Sequence, residues 1–412
     1  MIGRLLAGLA LAALAAGPAA ASTAWVQYGV SGRAEVRAVV DGACPILRVD
    51  GRRRVMTERA GPNEAFGNRV CIAAIPKGTK LARLGARSLA LPKAIPNRLV
   101  IIGDTGCRLK GAVVQSCNDP AGWPFAKVAA LAAAQKPDLV IHVGDYYYRE
   151  TPCPEGDARC AGSPYGDKWV TWKAELFDPA WRLLATAPWV FARGNHEDCK
   201  RGGAGWFRLL DASPKPKACP ENSDTYAVNI GGTSLFLIDS AETLDDKAPD
   251  KLVADFTARL DAMAAHQGAN PVWIVTHHPI WHATRRGGEG LTDGGTNATQ
   301  RAAVKGRDLK GVQMVLSGHV HNFTSLNFGS ARPAQLIVGA GGDVMDPGES
   351  PRADFGAVTV DGLPAQGFTM GRFGYFVFDR AGKDWVGSFH DLTDAVVTKC
   401  RLHERELSCK AV

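Results

Sequence analysis

In "DLVIHVGDYYYRE" (138–150) an apolar run stops abruptly at Gly144-Asp145 and gives way to three tyrosines. A run of this length, bounded by Pro137 and Gly144, reads as a strand buried on both faces. The same design recurs from residue 98 onward, in "RLVIIGD", "WVFARGN", "SLFLIDS", "PVWIVTHH", "VQMVLSGHVH" and "AQLIVGAGG". Helical stretches lie between the runs, notably 125–136 ("FAKVAALAAAQK") and 251–266 ("KLVADFTARLDAMAAH"). Alternating strands and helices predict an α/β sheet covered on both sides. Residues 24–95 differ. Short alternating stretches such as "AEVRAVV" and "RLGARSLAL" predict a small all-β domain, followed by a proline-bearing linker at 91–97 ("LPKAIPN").

Five of these strands end in residues that bind metals. Asp104 follows "LVIIG", Asp145 follows "VIHVG", and Asn195-His196 follow "VFARG". His277-His278 follow "WIVT", and His319 and His321 follow "MVLSG". Ligands of open α/β folds gather beyond the carboxyl ends of strands, so five such ends converge on one place. A lone strand-end histidine means little; five ends in series do not arise by accident. Oxygen and nitrogen donors without thiolate suit iron, manganese or zinc. There are more donors than one tetrahedral ion needs, which points to a metal pair bridged by a carboxylate. Such pairs stabilise both the attacking and the leaving oxygen of an in-line phosphoryl displacement.

Taken in order, "GDTG" (103–106), "GDYYY" (144–148), "GNHE" (194–197), "THHP" (276–279) and "GHVH" (318–321) resemble the five blocks of the calcineurin-like metallophosphoesterases. Gly106 stands where many members carry a histidine, and the second block reads Gly-Asp-x-x-Tyr, a combination that resembles the purple acid phosphatases. The resemblance spans roughly 98–345. It implies a four-layer αββα sandwich and an acid phosphatase that hydrolyses phosphomonoesters with a hydroxide held on two metals. By the same resemblance Asp104, Tyr148 and His321 hold ferric iron. Asn195, His277 and His319 hold Fe(II), Zn or Mn, and Asp145 bridges the two. His196 contacts phosphate or protonates the leaving oxygen. His282 is a second candidate catalytic histidine, and His278 and Arg286 are candidate substrate-binding residues. Tyr146 and Tyr147 are left as packing or pocket-wall groups. A ferric site also implies an acidic optimum. The rival readings are a phosphodiesterase or nucleotidase on the same core, and a non-catalytic metal-containing binding protein.

The rest of the chain sets its context. The leader "MIGRLLAGLALAALAAGPAAAS" has one arginine, an apolar stretch and an Ala19-x-Ala21 site, which predicts a signal peptide over 1–21 and export to the periplasm or medium. Ten cysteines, all beyond the leader, suit that compartment. Nearest-neighbour pairing gives five local loops, although spacing alone does not fix the connectivity. The expected organisation is therefore leader 1–21, β-domain 22–95, catalytic domain 96–390 and a disulfide-closed tail 391–412. A net charge of +7 over 412 residues, without a basic helix, argues against a nucleic-acid scaffold and suits a small anionic ester. No second apolar run is long enough to span a bilayer. The sequence leaves oligomeric state open. Asn297-Ala-Thr and Asn322-Phe-Thr match the glycosylation pattern.

Overall fold

The computed structural model describes residues 23–266, 268, 270–285 and 290–412. The leader and Arg286 lie outside the described residues. All seven apolar runs are strands: Arg98–Ile102, Leu139–His142, Trp189–Phe191, Ser234–Leu237, Val272–Val275, Val312–Ser317 and Ala334–Val338. The two long helical stretches are helices, Phe125–Ala134 and Asp250–His266.

The first three of these strands lie parallel at the centre of an eleven-stranded sheet, with Leu139 beside Leu99 and Ile141 beside Val190. The other four lie parallel in an eight-stranded sheet, with Leu235 beside Trp273, Val275 beside Leu316, and Leu316 beside Leu336. Side chains alternate between the faces of a strand, and this period assigns each run to two cores. Leu99, Ile101 and Ile141 meet Leu235, Trp273 and Leu316 between the two sheets. Their neighbours Val100, Ile102 and Val140 face outward onto Phe125, Val128 and Leu183 of the helical layer. On the far side Phe236, Ile274 and Val315 pack against Phe256, Leu260 and Ala303. Phe256, Leu260 and Met263, three or four residues apart, are the buried stripe of the long helix. The result is helix, sheet, sheet, helix.

The N-terminal region is all-β, and four of its strands extend the larger sheet. Thr23–Tyr28 pairs in parallel with Trp189–Phe191, and Ala34–Val40, Arg69–Ala74 and Thr57–Ala60 follow outward. Buried Arg37 secures this join by donating to the carbonyls of Leu209 and Asp211, both at 2.6 Å. Four shorter strands, including Arg52–Val55, form a separate small sheet. At the other edge Val396–His403 and Glu406–Ala411 form a hairpin, with Cys400 directly opposite Cys409.

The ten cysteines form five nearest-neighbour disulfides: Cys44–Cys71, Cys107–Cys117, Cys153–Cys160, Cys199–Cys219 and Cys400–Cys409. Three of them lie within the loops 107–124, 149–168 and 199–223, which follow the ligand-bearing strand ends. Among the described residues no helix is long and apolar enough to cross a membrane. The asparagines of both glycosylation patterns are fully buried, so in the folded chain neither presents its amide to solvent. Asn297 instead caps the helix Ala298–Val304, accepting from the Gln300 amide at 2.8 Å.

Candidate metal centre

The five strand ends meet at one edge of the sandwich, three from the larger sheet and two from the smaller. Their backbones are stitched together just past the strands: the Asp104 amide donates to the Gly144 carbonyl at 3.0 Å, and the Gly318 amide to the His277 carbonyl at 2.9 Å. Asp104, Asp145 and His319 sit at φ of 55°, 58° and 70°. Left-handed backbone is costly for such residues and concentrates where function fixes geometry. Here it turns each side chain off its strand into the shared space.

Two groups of donors result, with Asp145 in both. Asp104, Asp145 and His321 offer ligand atoms within 4.8 Å of one another, and so do Asp145, His277 and His319. The Tyr148 hydroxyl joins the first group, 2.7 Å from Asp145 Oδ2 and 3.0 Å from His321 Nε2. The Asn195 amide oxygen joins the second, 3.0 Å from both His277 Nε2 and His319 Nδ1. The distal ring nitrogens are held by backbone: His277 Nδ1 lies 2.8 Å from the Val143 carbonyl, and His321 Nδ1 lies 2.7 Å from that of Val344. That arrangement fixes each ring and turns Nε2 inward.

Asp104, Asp145, Tyr148 and His277 are all essentially inaccessible to solvent. Burial pushes the Asp104 carboxyl and the Tyr148 phenol up. Burial alone would lower His277, yet Asp145 beside it holds the ring up at about 9; His321 is held up at about 10 by Asp343 and Asp104. Against its own burial, Asp145 is held well below the carboxylate range by His277 and His196. Acidic oxygens and imidazoles here balance one another's charge in a dry space. Cations at the two positions would take over that balancing, so the donor set fits a pair of metal ions.

Close backbone approach explains two glycines. A Cβ on Gly106 would stand 2.6 Å from Tyr148 Cδ2, so a side chain there and the tyrosine ring compete for one volume. A Cβ on Gly194 would overlap Asp145 Oδ1 and its amide nitrogen. Gly194 has an ordinary φ of −91°, so its restriction is spatial alone. Gly194→Ala should therefore displace Asp145. We expect a stability loss of about 1–3 kcal/mol together with a disproportionate fall in bound metal. Thermal melting and elemental analysis would check this; two metals retained at full occupancy would refute it.

The tyrosines separate cleanly. Tyr146 donates to the Ala192 carbonyl at 2.8 Å and stacks on His142, while Tyr147 stacks on Trp172. Both belong to the core under the helical layer; Tyr148 alone faces the donors.

Beyond the donors, His196 lies with its ring 3.9 Å from the Tyr148 ring. Its Nδ1 makes an ion-pair contact of 2.6 Å with Glu150 Oε1, and Arg201 Nη1 lies 3.7 Å from the same oxygen. His278 packs its ring 4.0 Å from that of His319. His282 joins neither group: it is buried, neither ring nitrogen has a polar partner among the described residues, and burial holds its pKa down to about 4. Arg285, beside the undescribed Arg286, is paired with Asp354 at 3.3 Å.

Several residues of this site escape sequence reading. Arg201 sits inside the Cys199–Cys219 loop, and Glu150 lies just ahead of the Cys153–Cys160 loop. Asp343 holds Arg108 over the Tyr148 ring, 4.9 Å from its centroid, with Arg108 Nε 3.0 Å from the Asp343 carboxylate. Glu175, presented by a π-helical turn (Lys173–Phe177), accepts from the Cys107 and Tyr148 amides at 2.9 and 3.0 Å. Glu197 accepts from Tyr146, Tyr147, Gly194 and Asp145 at 2.8 to 3.1 Å. Only Glu197 carried a signal, as the last residue of the "GNHE" block.

Two mixed sheets with oxygen and nitrogen donors at five converging strand ends define a metal-dependent hydrolase of the phosphoesterase class. The chain belongs to the calcineurin-like phosphoesterases, whose family model matches residues 97–323. Two solved structures share the fold over almost the whole chain. A purple acid phosphatase from yellow lupin (Lupinus luteus) seeds is 13% identical, over 96% of this chain and 75% of that one, with a TM-score of 0.55. PhoD is 11% identical, over 96% of this chain and 94% of that one, with a TM-score of 0.58. A comparison with curated proteins gives no match.

Proposed function

We propose that this chain is an exported acid phosphatase of the purple type, acting on small phosphomonoesters. Asp104, Tyr148 and His321 would hold ferric iron; Asn195, His277 and His319 would hold Fe(II), Zn or Mn; Asp145 would serve both. One observation carries the reading: Tyr148 reaches the first donor group through the space that Gly106 leaves open. When bound, such a pair supplies the Lewis acidity that makes water nucleophilic and offsets the charge of the phosphoryl group.

The chain's own residues do the rest. With Nδ1 against Glu150, His196 keeps Nε2 for the substrate, where it can donate a proton to the leaving oxygen. Arg201 and Arg108, at the rim, add positive charge for a dianionic monoester. His282 joins neither donor group, so His196, beside Tyr148 and Glu150, is the acid of this reading. His278 stays a candidate substrate contact. Five disulfides and the leader support export.

The test compares p-nitrophenyl phosphate with its bis-ester across pH 4–9, before and after chelation. Monoester hydrolysis should dominate, peak on the acidic side and vanish on metal removal. A faster bis-ester would replace the reading with a phosphodiesterase, and metal without turnover on either would leave a binding protein. A visible band from tyrosinate bound to iron should be present and should be lost in Tyr148→Phe. A colourless dizinc protein would sink the iron assignment while sparing the hydrolase.

A further inference from the structure

Each ring nitrogen of His319 faces a polar group. Nδ1 faces Asn195 and the second donor group. Nε2 lies 2.8 Å from Asp245 Oδ2, on the opposite side of the ring. Asp245 comes from the connection between the strand Ser234–Leu237 and the helix Asp250–His266, outside all five blocks.

That connection is clamped from several directions. The Asp245 carbonyl accepts from the Ala298 amide at 3.0 Å, and Asp245 Oδ1 lies 3.4 Å from Asn297 Nδ2. The same Asn297 amide donates to Thr243 Oγ1 at 3.0 Å, and Thr299 Oγ1 donates to the Lys247 carbonyl at 2.8 Å. Asn297 is itself fully buried and holds a left-handed φ of 50°. The carboxylate is thus a fixed base beneath a ring whose backbone, at φ 70°, is already strained. An imidazole donating from Nε2 to such a carboxylate has its Nδ1 lone pair free and its plane fixed.

We propose that Asp245 is the positioning residue of the second metal site, acting through His319, and that the buried Asn297 clamp holds it there. The inference rests on the two-metal reading above. His277 and His321 set Nδ1 against backbone carbonyls at 2.8 and 2.7 Å, with the Asp346 carboxylate 3.8 Å from His321 Nδ1, whereas His319 meets a side chain at hydrogen-bond distance with its outer nitrogen. Its orientation therefore depends on a single replaceable group. Asp245, His278 and His319 also form a compact group of their own within 4.8 Å, which raises a rival: a third ion held by Asp245, His278 and His319 Nε2. The short direct contact between Asp245 and His319 favours positioning over a separate ion.

The experiment measures metal stoichiometry and affinity, by elemental analysis and chelator competition, in the full-length mature protein and in Asp245→Asn. The amide keeps the shape and loses the charge. We expect the weaker-binding ion to lose about 10- to 100-fold in affinity, the range for such outer partners, and the tighter ion to be unchanged. Turnover should then recover as the second metal is added back. Asp246→Asn, in an exposed neighbour, should change neither affinity. Asp245→Glu keeps the carboxylate and should restore part of the lost affinity; it also decides the matter if Asp245→Asn melts early. Equal affinities in wild type and Asp245→Asn would overturn the proposal. So would three ions in wild type and two in the variant. Wild type holding fewer than two ions would instead remove the two-metal reading itself, whatever the variant does.

Discussion

Asp145→Asn should reduce phosphoesterase turnover by about 10³-fold or more and leave the fold standing. The magnitude follows from what is lost, since a metal pair supplies several kcal/mol of transition-state stabilisation and each 1.36 kcal/mol is a factor of ten. Asp145 is common to the first two donor groups, so its charge serves both positions, whereas Asp104, His277, His319 and His321 each serve one. The substitution is close in shape, and Asn keeps an oxygen for the His196 amide that Asp145 Oδ1 accepts at 3.0 Å. Stability of the metal-free chain should therefore change little. The removed charge is one of the two carboxylates of the donor set, and His277, which it now holds up at about 9, should fall toward neutrality without it. The decisive measurement is metal content alongside melting temperature. Loss of one ion with the other fully retained would mean that Asp145 does not bridge.

The sequence made the donors legible because each stands at a strand's carboxyl end, where topology forces convergence. The strand period also disclosed the layers: alternate residues of "RLVII" belong to different cores, as Leu99 and Val100 do. What stayed hidden is long-range. Glu150, Asp245 and Asp343 lie in connections without periodicity, and nothing local distinguishes them from solvated carboxylates. Their roles come from meeting His196, His319 and Arg108 across the fold. The N-terminal strands show the same limit. Their alternation announces β-structure, but the pairing of Gln27 beside Trp189 joins residues far apart in the chain. A pattern of period two says nothing about which edge a strand will find. Asn297 shows the limit in reverse. The tripeptide fits a glycosylation pattern, while the fold uses that amide as a buried cap and clamp.

Glu197→Ala should be the most destabilising single substitution at this site. The Glu197 carboxylate is completely buried and accepts four backbone N–H groups, from Gly194, Asp145, Tyr146 and Tyr147. These belong to two strand-end turns, so one carboxylate fastens the turn bearing Asn195 to the turn bearing Asp145. Alanine would leave four donors buried without an acceptor. At about 1–3 kcal/mol for each unmade bond, and with some donors recovering water, we expect a loss of about 4–8 kcal/mol. That is comparable with the whole stability of many domains, so poor yield of folded protein is part of the expectation. Glu197→Gln separates anchoring from bulk. It keeps the volume and one acceptor oxygen but turns an NH₂ group toward N–H donors, and should cost roughly half as much. Denaturant unfolding of both variants, metal-free and metal-loaded, checks the argument. If Glu197→Ala unfolds within about 1 kcal/mol of wild type, the four bonds carry less than their burial implies. The two turns would then be held by the strands alone. If stability falls as expected, adding metal should recover part of it, because cations at the donor groups bind the folded chain and tie the same turns together from the other side.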